Sequence, residues 1–281
     1  MGTCYRYTAA TCYPPGAYAA ARQPWLIENT WQLCDPELPV FCIKNWYNGC
    51  VEITYIAIAF LFGLIPALFW LWFWLREDRQ HPEPKRLIIS AFIAGMLVVP
   101  VALPLQKYAL DTFYGNTIVF VWVIIEEVLK YSAALIVVLW NRAVDEPIDT
   151  IIYMIAIALG FSALENALFV FNPLVSGAYT DSLLTGNFRF LGATLLHILA
   201  SGTVGVAMAL SFYKRSRVKI LSATVGLFIA IVLHALFNFS IMEAHGGAIL
   251  GVFMFVWIGI IVLFLAFEKA KLIEKCHSYH L

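Results

Sequence analysis

From about residue 53 onward, long apolar stretches alternate with short polar connections. The stretches lack the alternation of apolar and polar positions that a transmembrane β-strand shows, so helices are expected. About 20 consecutive apolar residues in a helix cross the hydrocarbon core of a bilayer, since each residue adds about 1.5 Å. Seven stretches are long enough, and they predict seven transmembrane helices at about residues 53–75, 87–108, 117–140, 149–171, 190–212, 220–241 and 248–267.

The composition agrees with this pattern. The 281 residues are 62% hydrophobic and 13% charged, whereas soluble domains carry about 25% charged residues. A water-soluble domain and a disordered chain are therefore excluded, and the net charge of zero gives no reason to expect a nucleic-acid partner. We predict an all-α polytopic membrane protein in a lipid bilayer, with an N-terminal segment (1–52), a transmembrane domain (53–267) and a short tail (268–281). No basic start followed by an apolar run precedes residue 53, so no signal peptide is expected.

Lys and Arg residues mark the side on which the termini lie. The connections after the first, third and fifth spans, together with the tail, carry twelve of them, and the opposite side carries five. Cytoplasmic loops are enriched in Lys and Arg. The prediction is an N-terminus outside the cell and a C-terminus in the cytoplasm.

The N-terminal segment holds five of the six cysteines, which are Cys4, Cys12, Cys34, Cys42 and Cys50. Disulfides can form outside the cell, and because five is odd, at least one cysteine is free or pairs elsewhere. The spacing contains no C-x-x-C pair, which gives little support to a zinc module. A small disulfide-bonded outer cap and a substrate-recruiting segment both remain open.

Ionisable residues occur within four consecutive spans, where burial is costly and indicates function. They are Glu126, Glu127 and Lys130 in the third span, Glu165 in the fourth, His197 in the fifth and His234 in the sixth. Counted along antiparallel helices, the four helices carry these groups at about 9–14 Å from the outer end, which predicts a single polar layer. Spacing of four residues predicts an ion pair between Glu126 and Lys130, and a shared face for His234 and Asn238.

This set of side chains suits peptide hydrolysis. A carboxylate, or a metal ion that acidifies water, can activate the nucleophile, and His and Asn can stabilise an oxyanion. Two histidines and a glutamate also form a complete set of ligands for catalytic zinc. The H-E-x-x-H signature is absent, so the need for a metal stays open.

Two other classes of protein use similar features. A proton- or cation-coupled transporter or channel would use the same acids, although such pathways distribute acids through the membrane depth and the cytoplasmic half here has none. A non-catalytic scaffold or receptor would carry the outer cap and use the buried glutamates only for folding.

At these residues the sequence resembles the PrsW family of intramembrane proteases, a relative of the type II CAAX prenyl endopeptidases. The resemblance covers about residues 55–265, and five motifs follow in order. They are D-R-x-x-P-E-P at 78–84, E-E-x-x-K from Glu126 to Lys130, F-x-x-x-E-N from Phe161 to Asn166, the single His197, and H-x-x-x-N from His234 to Asn238. The cysteine-containing N-terminal segment is not part of the family pattern.

The resemblance implies an endopeptidase that clips membrane-tethered proteins near the outer face, with anti-sigma-factor-like proteins as substrates. Hypotheses for residue roles follow. Glu126 and Glu127 would activate water, without a choice between them, and Lys130 would orient a glutamate. Glu165 would be a second acid or would bind a divalent metal such as zinc together with His197 and His234. The two histidines would alternatively bind the oxyanion with Asn238.

Overall fold

The structure, a computed structural model, describes residues 46–77, 82–244 and 247–278, and the side chains of residues 53–77, 82–244 and 247–273. Cys4, Cys12, Cys34 and Cys42 and the start of the first connection, residues 78–81, lie outside the described residues, and so does the side chain of Cys50. The predictions about the N-terminal cap and its disulfides therefore stay predictions.

The described ranges consist of α-helices, π-helical turns and short connections, without a strand. The all-α fold predicted from the sequence is confirmed. The helices are α1 (Trp46–Glu77), α2 (Lys85–Thr112), α3 (Asn116–Ala134), α4 (Pro147–Val175), α5 (Tyr179–Phe188), α6 (Thr194–Leu210), α7 (Ser216–Glu243) and α8 (Ala248–Ser278). A five-residue π-helical turn, Leu135–Leu139, extends α3, and another, Arg189–Ala193, joins α5 to α6.

Six helical segments among the described residues are long and apolar enough to cross a membrane. They are Ile53–Glu77, Lys85–Thr112, Pro147–Val175, Tyr179–Leu210, Ser216–Glu243 and Ala248–Ile273. The remaining predicted span, 117–140, is present as the 19-residue helix α3 and its π-helical turn. This helix carries three buried charged residues, Glu126, Glu127 and Lys130, which lower its apolar character.

Helix boundaries differ from the predicted spans by more than four residues at three places. Helix α1 begins at Trp46, ahead of residue 53. The helical segment that contains α6 begins at Tyr179 instead of residue 190, because α5 and the π-helical turn lead into it without a break. Helix α8 continues to Ser278, past residue 267, where the sequence pattern predicts a tail.

Helix α4 forms the centre of the bundle. Its first half is buried on every side, with residues such as Ile155 and Ile157 fully inaccessible. Helices α1 and α2 approach it so closely that backbone meets backbone: a Cβ placed on Gly95 would lie 2.0 Å from the carbonyl oxygen of Ile157. Small residues permit such close packing of helices in lipid, where van der Waals contact drives association.

The beginning of α4 is tied to the first connection. Asp149 accepts hydrogen bonds from the backbone N–H groups of Asp145 and Glu146, and completes a capping box there. The hydroxyl of Tyr153 donates to Glu83, two residues before α2 begins. This end of α4 is therefore fixed, and the opposite half carries the candidate site.

Candidate active site

Four helices contribute ionisable side chains to one buried cluster. The members are Glu126, Glu127 and Lys130 on α3, Glu165 on α4, His197 on α6 and His234 on α7. On α3, Glu126 and Glu127 lie on the same side of the helix as Lys130, because positions three or four residues apart point in similar directions. The side chains that the sequence singled out thus meet at one place, although their helices are separated along the chain.

Glu127 binds two partners at the deepest point of the cluster. Lys130 donates to its Oε1 at 2.5 Å, and Nδ1 of His234 lies 2.7 Å from the same oxygen. The expected ion pair between Glu126 and Lys130 is replaced by this one, in which the lysine turns to the residue three positions away. Lys130 and Glu127 are 0% and 1% exposed, so the ion pair is fully enclosed.

Glu126 has one occupied and one unoccupied oxygen. Gln106 of α2 donates to Oε1 at 2.9 Å, and the backbone oxygen of Gln106 accepts from Nε1 of Trp122, also at 2.9 Å. Oε2 of Glu126 is buried without a hydrogen-bond partner in the described part of the chain. It lies 3.8 Å from Nε2 of His234.

His197 bridges the two halves of the cluster. Its Nδ1 lies 3.2 Å from Nζ of Lys130, and its Nε2 lies 3.0 Å from Oε2 of Glu165. An ammonium group has only donors, so Nδ1 accepts from Lys130 and Nε2–H donates to Glu165. The rings of Phe161 and His234 each pack edge-on against this imidazole, with centroids 5.1 Å away.

Arg189 closes the other side of Glu165. Its Nη2 donates to Oε2 of Glu165, and its Nε donates to Oδ1 of Asn166 at 2.6 Å. The amide of Asn166 in turn donates to Ser162 and Thr194, which joins α4 to α6. The motif residues Glu165 and Asn166 are thus held from the next transmembrane segment.

Ligand atoms of Glu126, His197 and His234 lie within 4.8 Å of one another and can hold a metal ion. This group differs from the predicted ligand set in its carboxylate, since Glu126 stands where Glu165 was expected. Two observations favour a cation: the buried, unsatisfied Oε2 of Glu126, and the contact of His234 Nδ1 with Glu127, which orients Nε2 as in metal-binding histidines. His197 fits after a change, because coordination requires it to give up one of its two hydrogen bonds.

Asn238 lies one turn beyond His234 on α7 and is half-buried. Its amide makes no hydrogen bond within the described residues, so the structure places it near the cluster without joining it to the other members.

The sequence pattern does not reveal two residues that contact this cluster, Gln106 and Arg189. Gln106 is an amide inside an apolar span, which is itself a signal that reading only charged residues overlooks. Arg189 falls among the basic residues of a connection when the fifth span is predicted to begin at residue 190. A fifth span predicted to begin a few residues earlier would have included Arg189.

Similarity to known proteins identifies the class of protein to which this chain belongs. The sequence model of the family described as PrsW family intramembrane metalloprotease matches residues 83–266, more than half of the chain. The protein is therefore a membrane-embedded peptidase. It belongs to the PrsW family.

Individual relatives agree with the family match. The Protease PrsW of Clostridioides difficile is 28% identical over 209 residues, which cover 70% of this chain and 84% of the relative. The Protease PrsW of Oceanobacillus iheyensis is 27% identical over 184 residues, covering 63% and 80%. That of Bacillus subtilis is 24% identical over 181 residues, covering 63% and 79%. No solved structure matches the chain.

Proposed function

We propose that the chain is an endopeptidase that hydrolyses peptide bonds of membrane-tethered proteins at the cluster around Glu126, His197 and His234. The observation that carries the proposal is Oε2 of Glu126, a buried carboxylate oxygen without a partner in the described residues that faces His234. Burying such an oxygen unsatisfied is costly. The unsatisfied oxygen of Glu126 is best explained as a contact point for a water molecule, a cation or the substrate.

Glu126 is the carboxylate proposed to act at the reacting atoms. Gln106 holds Oε1, so the direction of Oε2 is fixed before substrate binds. A carboxylate within hydrogen-bond reach of water can take its proton and return a proton to the leaving amine. The cluster is enclosed by four helices, which limits access of bulk water to the reaction.

Glu127 is proposed to position its neighbours. Its Oε1 is already bound to Lys130 and His234, so this oxygen is poorly placed to receive a further proton. It holds His234 with Nε2 directed to Glu126. The two adjacent glutamates thereby take different tasks, a choice that the sequence left open.

A divalent cation such as zinc would be held by Glu126, His197 and His234, in keeping with the description of the family as metalloproteases. Oε2 of Glu126 would then be a ligand, and its role as proton acceptor belongs to the mechanism without a cation. When bound, such a cation supplies Lewis-acid polarisation of a carbonyl group and acidifies water. Glu165 lies beside this group and is proposed as the second acid, bound to His197. Its alternative role as a ligand, inferred from the sequence, would require its carboxylate to move, because Glu165 is outside the group whose ligand atoms lie within 4.8 Å of one another.

Asn238 is the proposed donor to the oxyanion of the transition state. A tetrahedral intermediate needs N–H donors aimed at its oxygen. Asn238 follows His234 by one helical turn, is half-buried, and has an amide without a partner among the described residues. These features suit a group that binds only when substrate is present.

We further propose that cleavage occurs near the outer face, with the N-terminus outside and the C-terminus in the cytoplasm. The distribution of Lys and Arg supports this orientation. Membrane-tethered proteins resembling anti-sigma factors are the proposed substrates, as the family resemblance implies.

Comparing new protein termini in cells tests the proposal and does not require an identified substrate. Membranes from cells that express the wild type, Glu126→Gln or the control Glu243→Gln, whose glutamate is exposed, are compared by mass spectrometry of newly formed N-termini. Termini close to predicted membrane spans should occur with the wild type and the control and be absent with Glu126→Gln. Identical sets of termini in all three would contradict the proposal.

A further inference from the structure

We propose that Arg189 is a positioning residue of the peptidase, which fixes Glu165 and through it the imidazole of His197. This inference rests on the function proposed above. Arg189 lies outside the five sequence motifs, in the π-helical turn Arg189–Ala193 between α5 and α6. Such turns widen a helix locally and are frequent at functional sites.

Three contacts hold the guanidinium of Arg189 against one turn of α4. Nη2 donates to Glu165 and Nε donates to Asn166, while the guanidinium carbon lies 3.8 Å from the ring centroid of Phe169. The two hydrogen bonds use different nitrogens of a planar fork, which a lysine cannot reproduce. The arginine therefore fixes the direction of the Glu165 carboxylate as well as its charge.

Arg189 and His197 meet at the same atom, Oε2 of Glu165. If His197 were to hold a cation through Nε2, its hydrogen bond to Glu165 would be lost, and Arg189 would be the remaining hydrogen-bonded charged partner of that carboxylate among the described residues. Without Arg189, no charged side chain among the described residues would then fix the direction of this carboxylate by a hydrogen bond. Arg189 would thus keep Glu165 in place whether or not His197 holds a cation.

The pair also lies at the more open side of the cluster. The side chains of Arg189 and Glu165 are 16% and 17% exposed, whereas those of Glu127, Lys130 and His197 are 2% exposed or less. The guanidinium position is therefore partly open to the outside of the helix bundle, which permits a chemical test of its role.

Chemical rescue separates positioning from folding. The full chain in lipid vesicles is tested with a tethered reporter that contains a bond mapped by the terminus comparison. Arg189→Ala should lower kcat about 10- to 100-fold, the usual effect of losing a group that orients a ligand residue, while KM changes little. Added methylguanidinium should restore part of kcat, and the same concentration of tetramethylammonium should not. Arg189→Lys should fall between the wild type and Arg189→Ala, and Arg142→Ala, which changes an exposed arginine, should match the wild type.

Activity of Arg189→Ala equal to that of the wild type would overturn the inference, and so would a loss of kcat that methylguanidinium fails to restore. Thermal unfolding of Arg189→Ala, Glu165→Gln and the double variant gives a readout that does not depend on cleavage. The double variant should lose no more in Tm than the more damaging single variant, whereas additive losses would contradict coupling of the pair. Coupling in unfolding with an inactive wild type would count against the proposed function alone.

Discussion

Oε2 of Glu126, on α3, lies 3.8 Å from Nε2 of His234, on α7, and has no hydrogen-bond partner in the described residues. The other oxygen of Glu126 is bound by Gln106, and the other nitrogen of His234 contacts Glu127. Each residue is therefore fixed by one atom and leaves its second atom facing the other. This relationship supports the proposed division of the adjacent glutamates into a reacting residue, Glu126, and a positioning residue, Glu127.

Replacing Glu127 should cost stability as well as activity. Glu127→Ala leaves the fully buried Lys130 without its carboxylate and His234 without the partner of Nδ1. Removing one member of a buried ion pair typically costs about 3–5 kcal/mol. Thermal unfolding in detergent should show a larger loss of Tm for Glu127→Ala than for Glu126→Gln, which breaks no ion pair closer than 3.8 Å. A smaller loss for Glu127→Ala would argue against the assigned roles.

Removal of metal should abolish cleavage. Dialysis of the purified protein against a zinc chelator should eliminate activity, and stoichiometric zinc should restore it, because Glu126, His197 and His234 are proposed to hold the ion. Elemental analysis should find bound metal in the wild type and much less in His234→Ala. Full activity of a protein shown to be free of metal would leave a glutamate mechanism and would contradict the metal centre.

Close packing of α2 on α4 predicts a strong effect of a single methyl group. Gly95→Ala would bring Cβ to 2.0 Å from the carbonyl oxygen of Ile157, a backbone atom that cannot move aside. Overpacking usually costs about 1–3 kcal/mol, and a backbone clash belongs at the upper end. The matched control is Gly251→Ala on α8, where nothing lies within 4 Å. Equal Tm values for the two variants would show that the helices can separate without penalty.

The proposed orientation can be tested with reporters at two sites. A cytoplasm-active reporter inserted between α6 and α7, near Lys214 and Arg215, should be active, and the same reporter after α4, near Gly177, should be inactive. The opposite result would show the reverse topology and would indicate that the proposed cleavage occurs on the cytoplasmic side.

The predicted transmembrane helices could be found from the sequence because each contains a long apolar run, and lipid leaves helices as the way to satisfy the backbone. The members of the site were visible because Glu126, Glu165, His197 and His234 interrupt such runs. Which of these side chains pair with one another was harder to predict from the sequence. Spacing allowed Lys130 to pair with Glu126, and the structure pairs it with Glu127, because His197 and His234 approach from other helices and surround that side.

Arg189 and Gln106 belong to the surroundings of the site, and the pattern of single helices does not reveal them. The side chain of Arg189 joins the site because a π-helical turn carries the helix beyond the apolar run. Gln106 contributes through a neighbouring helix whose own sequence shows no charged motif at that point. The first contact depends on how the segment ahead of α6 packs on α4, and the second on how α2 packs on α3. Periodicity along one helix does not contain this information.

The most direct measurement of the central claim is cleavage by the purified protein alone. The full chain and a tethered substrate identified from new termini are placed together in lipid vesicles, and product is followed over time for the wild type, Glu126→Gln, His234→Ala and Glu243→Gln. We expect cleavage by the wild type and Glu243→Gln, and rates lower by roughly 10²- to 10⁴-fold for Glu126→Gln and His234→Ala. Undiminished cleavage by Glu126→Gln or His234→Ala would contradict the central claim.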